Sequence, residues 1–496
     1  MPVAVFNLKT SLLLAAVLVA AVPADARQAE PGPSLELEDC RIRAGRGFPG
    51  IKARCGTLER PENPDDPDSA RLSLFVAVVP ALSLEPEADP FVPIAGGPGQ
   101  GSTEFYASYS QAFERVRRHR DIVLLDQRGT GQSAPMECDT DDEIIVGEFS
   151  REVTIEETEK CLDALPHDPR YFTTSVAVRD LEALREALGA PQFNLYGISY
   201  GSRVAQHFLR RYPQSTRSVV LDGVVPPQIA LGPAIAIEAQ NALELIFERC
   251  AQSDECASAF PDLRDNFQRL RDSLDEFPVL VSLPDPLSGR LQELELGRVE
   301  LAAALRLLSY HPSSVAVMPL IINEAIEGNF LPLASQFLMI SQNIADTLNI
   351  GMHNAVVCTE DAPYFADENV SRDALDATYI GPLQLDALAA ICSVWPAGVI
   401  DDDFKTPVSS DVPVLLLSGE ADPITPPRYA ELAAVEFTNA RLLTGQQQGH
   451  GQAPRGCVPR IIADFVATAD VHELDVDCLD LLYAMPFFLD FSGPSQ

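Results

Sequence analysis

Residues 197–201 read Gly-Ile-Ser-Tyr-Gly, and they constrain the fold of this chain more than any other stretch. An apolar, strand-like segment at 193–196 precedes them, and a helix-like segment at 202–212 follows. In so sharp a strand–turn–helix junction, the residues on both sides of the serine must lack bulk, and glycine tolerates both crowding and unusual backbone angles. The junction would lift the hydroxyl of Ser199 above the edge of a sheet, beside the positive end of a helix.

Around this junction, short apolar strands alternate with helices, which indicates a mostly parallel, doubly wound α/β sheet. The rhythm stops after Pro227, gives way to mostly amphipathic helices until about residue 406, and resumes with the apolar run at 412–417. We therefore expect an inserted, mainly helical cap domain. The predicted divisions are a first core part at 27–225, the cap at 226–406 and a second core part at 407–496.

The first 26 residues read as an export signal, because Lys9 precedes an apolar run at 12–22 and Ala24-Asp25-Ala26 offers a cleavage site. The run is short for a bilayer span, although an uncleaved anchor is the alternative. With 72 acidic against 36 basic residues the net charge is -36, which disfavours nucleic acids and anionic membranes as partners. We expect a periplasmic or secreted protein without stable membrane insertion after cleavage.

Ten cysteines fit an oxidising compartment, and none forms a Cys-x-x-Cys pair that would suggest zinc or a redox dithiol. The sequence does not fix their connectivity, and buried free thiols are the alternative for some. The spacing favours disulfides between sequential neighbours, which are Cys40–Cys55, Cys138–Cys161, Cys250–Cys256, Cys358–Cys392 and Cys457–Cys478. No metal and no organic cofactor is implied.

A serine hydroxyl becomes a good nucleophile only with a base, which in turn needs an orienting acid. On α/β sheets of this kind the three follow in the order serine, acid, histidine, on loops after strands. The loop after 412–417 contains Glu420 and Asp422, and we favour Asp422, with Glu420 as the rival. Of the two downstream histidines, His450 lies between two glycines, whereas His472 lies in an acidic tail. The predicted triad is Ser199, Asp422 and His450.

The oxygen that becomes negative during such chemistry needs backbone donors. The amide of Tyr200, next to the nucleophile, is one candidate. Gly97, in the Ala-Gly-Gly-Pro-Gly stretch at 95–99, is the other, because glycines let the main chain approach a substrate. The stretch lacks the Lys-Ser/Thr ending of a phosphate-binding loop.

Three motifs together resemble the proline iminopeptidase branch of the α/β-hydrolases, a serine peptidase family that includes tripeptidyl aminopeptidases. They are Gly-Gly-Pro-Gly at 96–99, Asp-Gln-Arg-Gly-Thr-Gly-Gln-Ser at 126–133, and the serine junction itself. Ala95 stands where proline iminopeptidases often carry histidine. Within the second motif we expect Arg128 to pair with Asp126 and pin the loop. The Gly-His-Gly at 449–451 and the cysteines that follow resemble the tripeptidyl aminopeptidase-like C-terminal end.

The resemblance implies an α/β-hydrolase fold and an exported serine aminopeptidase, which removes proline or a short peptide from free N-termini through an acyl-enzyme on Ser199. It also implies carboxylates that hold the substrate's ammonium, for which Glu360 and Asp361 are the candidates unless they form a solvated acidic loop. An exported carboxylesterase or lipase with the same triad is the alternative, and a non-enzymatic binding module would predict a broken triad. The number of residues released and the oligomeric state stay open.

Overall fold

The structure, a computed structural model, describes residues 35–45, 49–138, 150–285 and 288–494. The expected export signal at 1–26 lies outside these residues and stays a prediction. Of the helices in the described ranges, none is both long enough and apolar enough to cross a membrane.

Strands from both parts of the predicted core join in one large sheet. The strands of the described residues are β1 (Glu38–Ile42), β2 (Ile51–Pro61), β3 (Arg71–Val79), β4 (Phe91–Ile94), β5 (Ile122–Leu125), β6 (Phe193–Ile198), β7 (Thr216–Asp222), β8 (Val279–Pro284), β9 (Leu291–Leu296), β10 (Val414–Gly419) and β11 (Ala440–Gly445). The sheet order is β1-β2-β3-β5-β4-β6-β7-β10-β11. The pairs β1–β2, β2–β3 and β3–β5 are antiparallel, and the remaining neighbours are parallel.

Helices cover both faces of the sheet and build the cap. Those of the described residues are α1 (Ser102–Tyr109), α2 (Glu114–Arg117), α3 (Arg151–Ala164), α4 (Thr174–Leu188), α5 (Tyr200–Arg211), α6 (Ile235–Gln252), α7 (Asp254–Ala259), α8 (Leu263–Glu276), α9 (Arg298–Leu308), α10 (Pro312–Val315), α11 (Met318–Ile326), α12 (Leu331–Thr347), α13 (Ile350–Glu360), α14 (Arg372–Asp376), α15 (Leu383–Cys392), α16 (Pro427–Ala434) and α17 (Val458–Thr468).

Alternation along the central strand β6 explains why both sheet faces are covered. Phe193 and Leu195 pack in one hydrophobic cluster, with residues of α4 and α5. Tyr196 and Ile198 pack in another, with residues of α1 and α17. Successive side chains of a strand point to opposite faces, so the apolar residues at odd and at even positions of β6 require apolar partners on both faces. The layered α/β-hydrolase fold expected from the sequence follows from this burial.

The inserted segment between β7 and β10 contains α6 to α15 and has a hydrophobic cluster of its own, made largely of residues between Ala239 and Tyr379. Helices dominate it, as the sequence predicts, but β8 and β9 form a separate antiparallel hairpin that the sequence pattern did not predict. Val281, Leu283 and Leu296 of that hairpin are buried in the cap cluster. The hairpin therefore belongs to the packing of the cap.

Five disulfides join all ten cysteines, each between sequential neighbours. Cys358–Cys392 connects α13 to α15 within the cap, and Cys457–Cys478 ties the start of α17 to the C-terminal segment. Because each bridge closes a short loop, the bridges restrain local segments on both sides of the core–cap division.

The expected pairing of Arg128 with Asp126 is wrong. The carboxylate of Asp126 accepts hydrogen bonds from the backbone and hydroxyl of Thr103 on α1 and from the backbone N–H of Gln132 in its own loop, so it has partners other than Arg128. Arg128 forms a bidentate pair with Asp180 of α4, with N–O distances of 2.6 and 3.0 Å, and both residues are buried. The motif at 126–133 is thus tied to α4 through Arg128 and to α1 through Asp126.

Replacing Arg128 by alanine is expected to lower the free energy of unfolding by about 3–5 kcal/mol, because Asp180 would lose its buried partner. Arg60 also contacts Asp180, but its side chain is 22% exposed and cannot fill the vacated space. Urea unfolding measures the effect. Arg170→Ala is the matched control, since Arg170 pairs with Asp168 at the surface and its loss should change little. Equal unfolding midpoints for the two variants would contradict the structural role of Arg128.

Candidate active site

Ser199 occupies the turn between β6 and α5, with φ +54° and ψ −127°. A non-glycine residue rarely adopts a positive φ, and its surroundings must enforce the strain. A Cβ atom on Gly197 would lie 2.2 Å from the carbonyl oxygen of Gly201. A Cβ atom on Gly201 would lie 2.4 Å from the carbonyl oxygens of Ile94 and Ala95. Neither position can carry a side chain, as the sequence predicts for this junction.

Asp422 and His450 come together on the loops after β10 and β11. Oδ2 of Asp422 lies 2.8 Å from Nδ1 of His450, and both residues are buried. The carboxylate also accepts hydrogen bonds from the backbone N–H groups of Ile424 and Thr425 and from the hydroxyl of Thr425. A carboxylate at Nδ1 favours the tautomer with the proton there, which leaves Nε2 free to accept a proton.

Glu420 and His472, the alternatives to Asp422 and His450, lie away from this pair. Glu420 is exposed, and its carboxylate accepts a hydrogen bond from the backbone N–H of Gln447. His472 is exposed as well, in the C-terminal segment. The structure therefore brings Asp422 and His450 together. It does not bring Glu420 or His472, the two alternatives that the sequence left open, into this pair.

Ser199 and His450 line the same cavity of about 510 Å³, which lies between the sheet edge and the cap. Gly97 and Thr425 line it too, together with apolar cap residues such as Leu348 and Val357. No hydrogen bond joins the Ser199 hydroxyl to His450 among the described side chains. Such contacts are often long before substrate binds and tighten in the reacting complex.

Gly97 has φ +106°, and a Cβ atom there would come within 2.8 Å of the backbone nitrogen of Gly99. The amide of Tyr200 belongs to the first turn of α5, where N–H groups have no partner within the helix. Neither amide has an acceptor among the described residues. Both are thus available as donors, while the Tyr200 hydroxyl is engaged with Thr174 and Gln127.

The cap contacts the loop that carries Gly97. The backbone N–H of Asn349 donates to the carbonyl oxygen of Gly99 over 3.0 Å, and its side-chain amide donates to the same oxygen. Nδ1 of His353 lies 3.3 Å from the carbonyl oxygen of Pro98. Sequence reasoning missed both residues, because only the folded cap brings positions some 250 residues apart into contact.

Asp222, at the end of β7, is a further supporting residue that sequence reasoning missed. It is fully buried and accepts hydrogen bonds from the backbone N–H groups of Gln452 and Ala453 and from the hydroxyl of Tyr196. Burial raises the pKa of its carboxyl group. Asp222 thereby anchors the loop directly after His450. The sequence feature that could have identified Asp222 is its position at the end of a predicted strand.

Glu360 and Asp361 do not reach the cavity, so the expectation that they bind a substrate amine is wrong. Both are completely buried. Asp361 pairs with Arg203 of α5 over 2.9 Å, and Glu360 accepts hydrogen bonds from the backbone and hydroxyl of Thr174. Burial raises the pKa of Glu360 to about 7. The acidic stretch joins the cap to the helix after the nucleophile instead.

Burial alone would lower the pKa of His450, but the charge and hydrogen bond of Asp422 outweigh it and raise the pKa above its ordinary value of 6.5. A general base acts unprotonated, so kcat/KM should fall as the pH drops through this raised pKa. The acid limb of the pH–rate profile should therefore lie above pH 6.5. A limb at or below pH 6 would contradict the electrostatic role of Asp422.

Known families and proteins are similar to this chain. The family described as alpha/beta hydrolase fold matches residues 89–281, and the one described as TAP-like protein matches residues 377–478. The chain has the α/β-hydrolase fold. It is a serine hydrolase of the peptidase type, and tripeptidyl aminopeptidases are among the proteins similar to it. The family and fold class predicted from the sequence are confirmed.

Several curated proteins are similar to this α/β-hydrolase. Serine protease Hip1 of Mycobacterium tuberculosis is 26% identical, covering 81% of this chain and 82% of the relative. Tripeptidyl aminopeptidase of Streptomyces lividans is 24% identical, covering 92% and 88%. Carboxylesterase B of Mycobacterium tuberculosis is 26% identical, covering 84% and 87%. The crystal structure of a proline iminopeptidase from Mycobacterium smegmatis is 14% identical, covering 84% and 99%, with a TM-score of 0.38.

Proposed function

We propose that this α/β-hydrolase is an exported serine aminopeptidase, which removes proline or a short peptide from peptides with a free N-terminus. The observation that carries the proposal is the buried Asp422–His450 pair, whose imidazole lines the same cavity as Ser199. An oriented base that shares a cavity with a strained, half-buried serine fits the arrangement that acyl transfer requires. The similarity to tripeptidyl aminopeptidase supports the choice of substrate class.

In the proposed reaction, the Ser199 hydroxyl oxygen attacks the scissile carbonyl carbon while Nε2 of His450 takes its proton. The N–H groups of Gly97 and Tyr200 stabilise the negative oxygen of the tetrahedral intermediate. The C–N bond then breaks, and His450 returns the proton to the leaving amine. A water molecule, activated by the same imidazole, hydrolyses the acyl-enzyme and releases the N-terminal fragment. Asp422 stabilises the imidazolium throughout.

Carboxylester hydrolysis is the second candidate, and one observation favours it. Among the described residues that line the cavity there is no aspartate or glutamate, so no carboxylate is placed to attract a peptide ammonium. Much of the lining is apolar, with Phe105, Leu231 and Leu388 among its members. Carboxylesterase B is also one of the similar proteins. Ester and amide hydrolysis share the same machinery, so only substrates can separate the two.

Three substrates separate the candidates: a peptide anilide with a free N-terminus, its N-blocked twin, and a short acyl nitrophenyl ester. The proposal predicts a higher kcat/KM for the free anilide than for the blocked one. Ester turnover without anilide turnover would contradict it and establish the esterase. Equal turnover of both anilides would contradict the requirement for a free N-terminus.

Export is the remaining part of the proposal. The five disulfide bonds support it, since such bonds persist in oxidising compartments. Thiol titration of the unfolded but unreduced protein tests it, and we expect essentially no reactive thiols. Finding most cysteines reactive would contradict an oxidising location.

A further inference from the structure

The described residues that line the cavity carry positive but no negative charge. Its described lining contains no acidic residue, yet it contains the guanidinium group of Arg306, which lies on α9 of the cap. His311 and His353 add no further charge near pH 7, because burial lowers the pKa of His311 to about 4 and also lowers that of His353. These two rings are neutral near pH 7, so Arg306 leaves the cavity positive away from the triad.

The donors of Arg306 are poorly satisfied. A guanidinium group offers five N–H donors in a planar fork. Nη1 donates to the side chain of Gln384 and Nη2 to the hydroxyl of Tyr310, each over a long 3.4 Å. Nε is buried and has no acceptor among the described residues. By contrast, the buried guanidinium groups of Arg128 and Arg203 are paired with carboxylates.

Arg306 also lies close to the proposed base. The Tyr310 hydroxyl that it contacts belongs to a ring packed edge-on against the His450 ring, with centroids 5.1 Å apart. The carbonyl oxygen of Tyr310 accepts the backbone N–H of His450 over 2.8 Å. A single side chain therefore separates the guanidinium group from the reacting centre.

We infer that Arg306 forms an anion subsite of the cavity, which binds a carboxylate of a short peptide. The inference rests on the proposed function and deepens it by naming a recognised group. The guanidinium group of Arg306 is half-buried and has a buried, unpartnered Nε among the described residues, so a bound carboxylate would supply the hydrogen bonds that it lacks, in the bidentate geometry that guanidinium groups favour. The carboxylate has two possible sources, the C-terminus of a short peptide or an acidic side chain.

Competition against a small neutral ester tests the subsite through binding. The inhibitors are three N-terminally identical tripeptides: Ala-Gln-Ala amide, Ala-Gln-Ala with a free C-terminus, and Ala-Glu-Ala amide. For the wild type, the inhibition constant of one carboxylate-bearing peptide should be about tenfold lower than that of the neutral amide. Which of the two binds tighter identifies the source of the carboxylate.

In Arg306→Gln this ratio should fall to near one, and Arg306→Lys should retain part of it. Arg298→Gln is the matched control, because Arg298 lies on the same helix but contacts Thr378, Tyr379 and Asp275 outside the cavity lining. It should keep the full ratio. A wild-type ratio of one would overturn the subsite, as would an unchanged ratio in Arg306→Gln. If Arg306→Gln does not fold, Arg306→Lys decides instead: a ratio below the wild-type value supports the subsite, and an unchanged ratio overturns it.

Cleavage of the same peptides, followed in parallel, separates this inference from the proposed function. Peptides that bind with the expected ratio but are not cleaved would contradict the aminopeptidase and support the subsite. Peptides that are cleaved without any carboxylate preference would support the aminopeptidase and overturn the subsite.

Discussion

Replacing Ser199 by alanine is expected to lower kcat by about a million-fold, the loss typical of a missing triad nucleophile. Without the hydroxyl no acyl-enzyme can form, and His450 has no proton to remove. The fold should persist, because alanine fits the space and Ser199 donates no side-chain hydrogen bond within the described residues. Initial rates on the best substrate measure the effect, with circular dichroism and urea unfolding as checks on the fold.

Ser108→Ala is the matched control for this variant. Ser108 is exposed on α1, and its hydroxyl donates only to the backbone of its own helix. The control should keep wild-type activity. A Ser199→Ala enzyme with a rate within about tenfold of the wild type would exclude Ser199 as the nucleophile.

Asp422→Asn is expected to lower kcat by about ten-thousand-fold while leaving the fold intact. The new amide can donate a hydrogen bond to Nδ1 of His450, which would place the ring proton on Nε2 and remove the base. The lost charge should also lower the pKa of His450, since Asp422 is what raises it. Any residual activity should therefore show its acid limb at a lower pH.

Glu420→Gln tests the rival acid directly. Glu420 is two positions earlier in the same loop, but it is exposed and its carboxylate bonds only to the backbone of Gln447 among the described residues. This variant should behave like the wild type. A large loss in Glu420→Gln, together with normal activity in Asp422→Asn, would show that Glu420 and not Asp422 orients the imidazole.

The sheet and the nucleophile junction were predictable because local physics determines them. The predicted run at 122–125 matches β5, and the strand and helix around Ser199 form where the glycine pattern requires them. Positions 197 and 201 have no room for a side chain, so the turn requires glycine at both, and this requirement is visible in the sequence. The order of serine, aspartate and histidine along the chain is likewise visible in the sequence, and the triad was predicted from it.

Partners of buried charges could not be predicted in this way. Arg128 pairs with Asp180, which lies 52 positions away, rather than with the neighbouring Asp126. Glu360 and Asp361 look like an acidic surface stretch, yet tertiary packing buries both against α4 and α5. The partner of a buried charge depends on which helix faces pack against each other, and this cannot be read from the local amino-acid composition.

The cap was predicted least well, and it holds the residues that would set specificity. The sequence pattern predicted mostly helices in the cap and missed β8 and β9, and no sequence pattern indicates that Arg306 faces a cavity without carboxylates. Both facts arise from how the cap closes over the sheet edge. The proposed carboxylate subsite lies on the cap helix α9, whereas the three residues of the predicted triad lie on the core.

Covalent labelling with a fluorophosphonate probe, followed by intact mass and peptide mapping, tests the proposed acyl-transfer site most directly. We expect a single adduct per chain, on the peptide that contains Ser199, and much slower labelling in His450→Gln, because that variant lacks the base. An adduct on a different residue, or a His450→Gln variant that labels as fast as the wild type, would contradict the account.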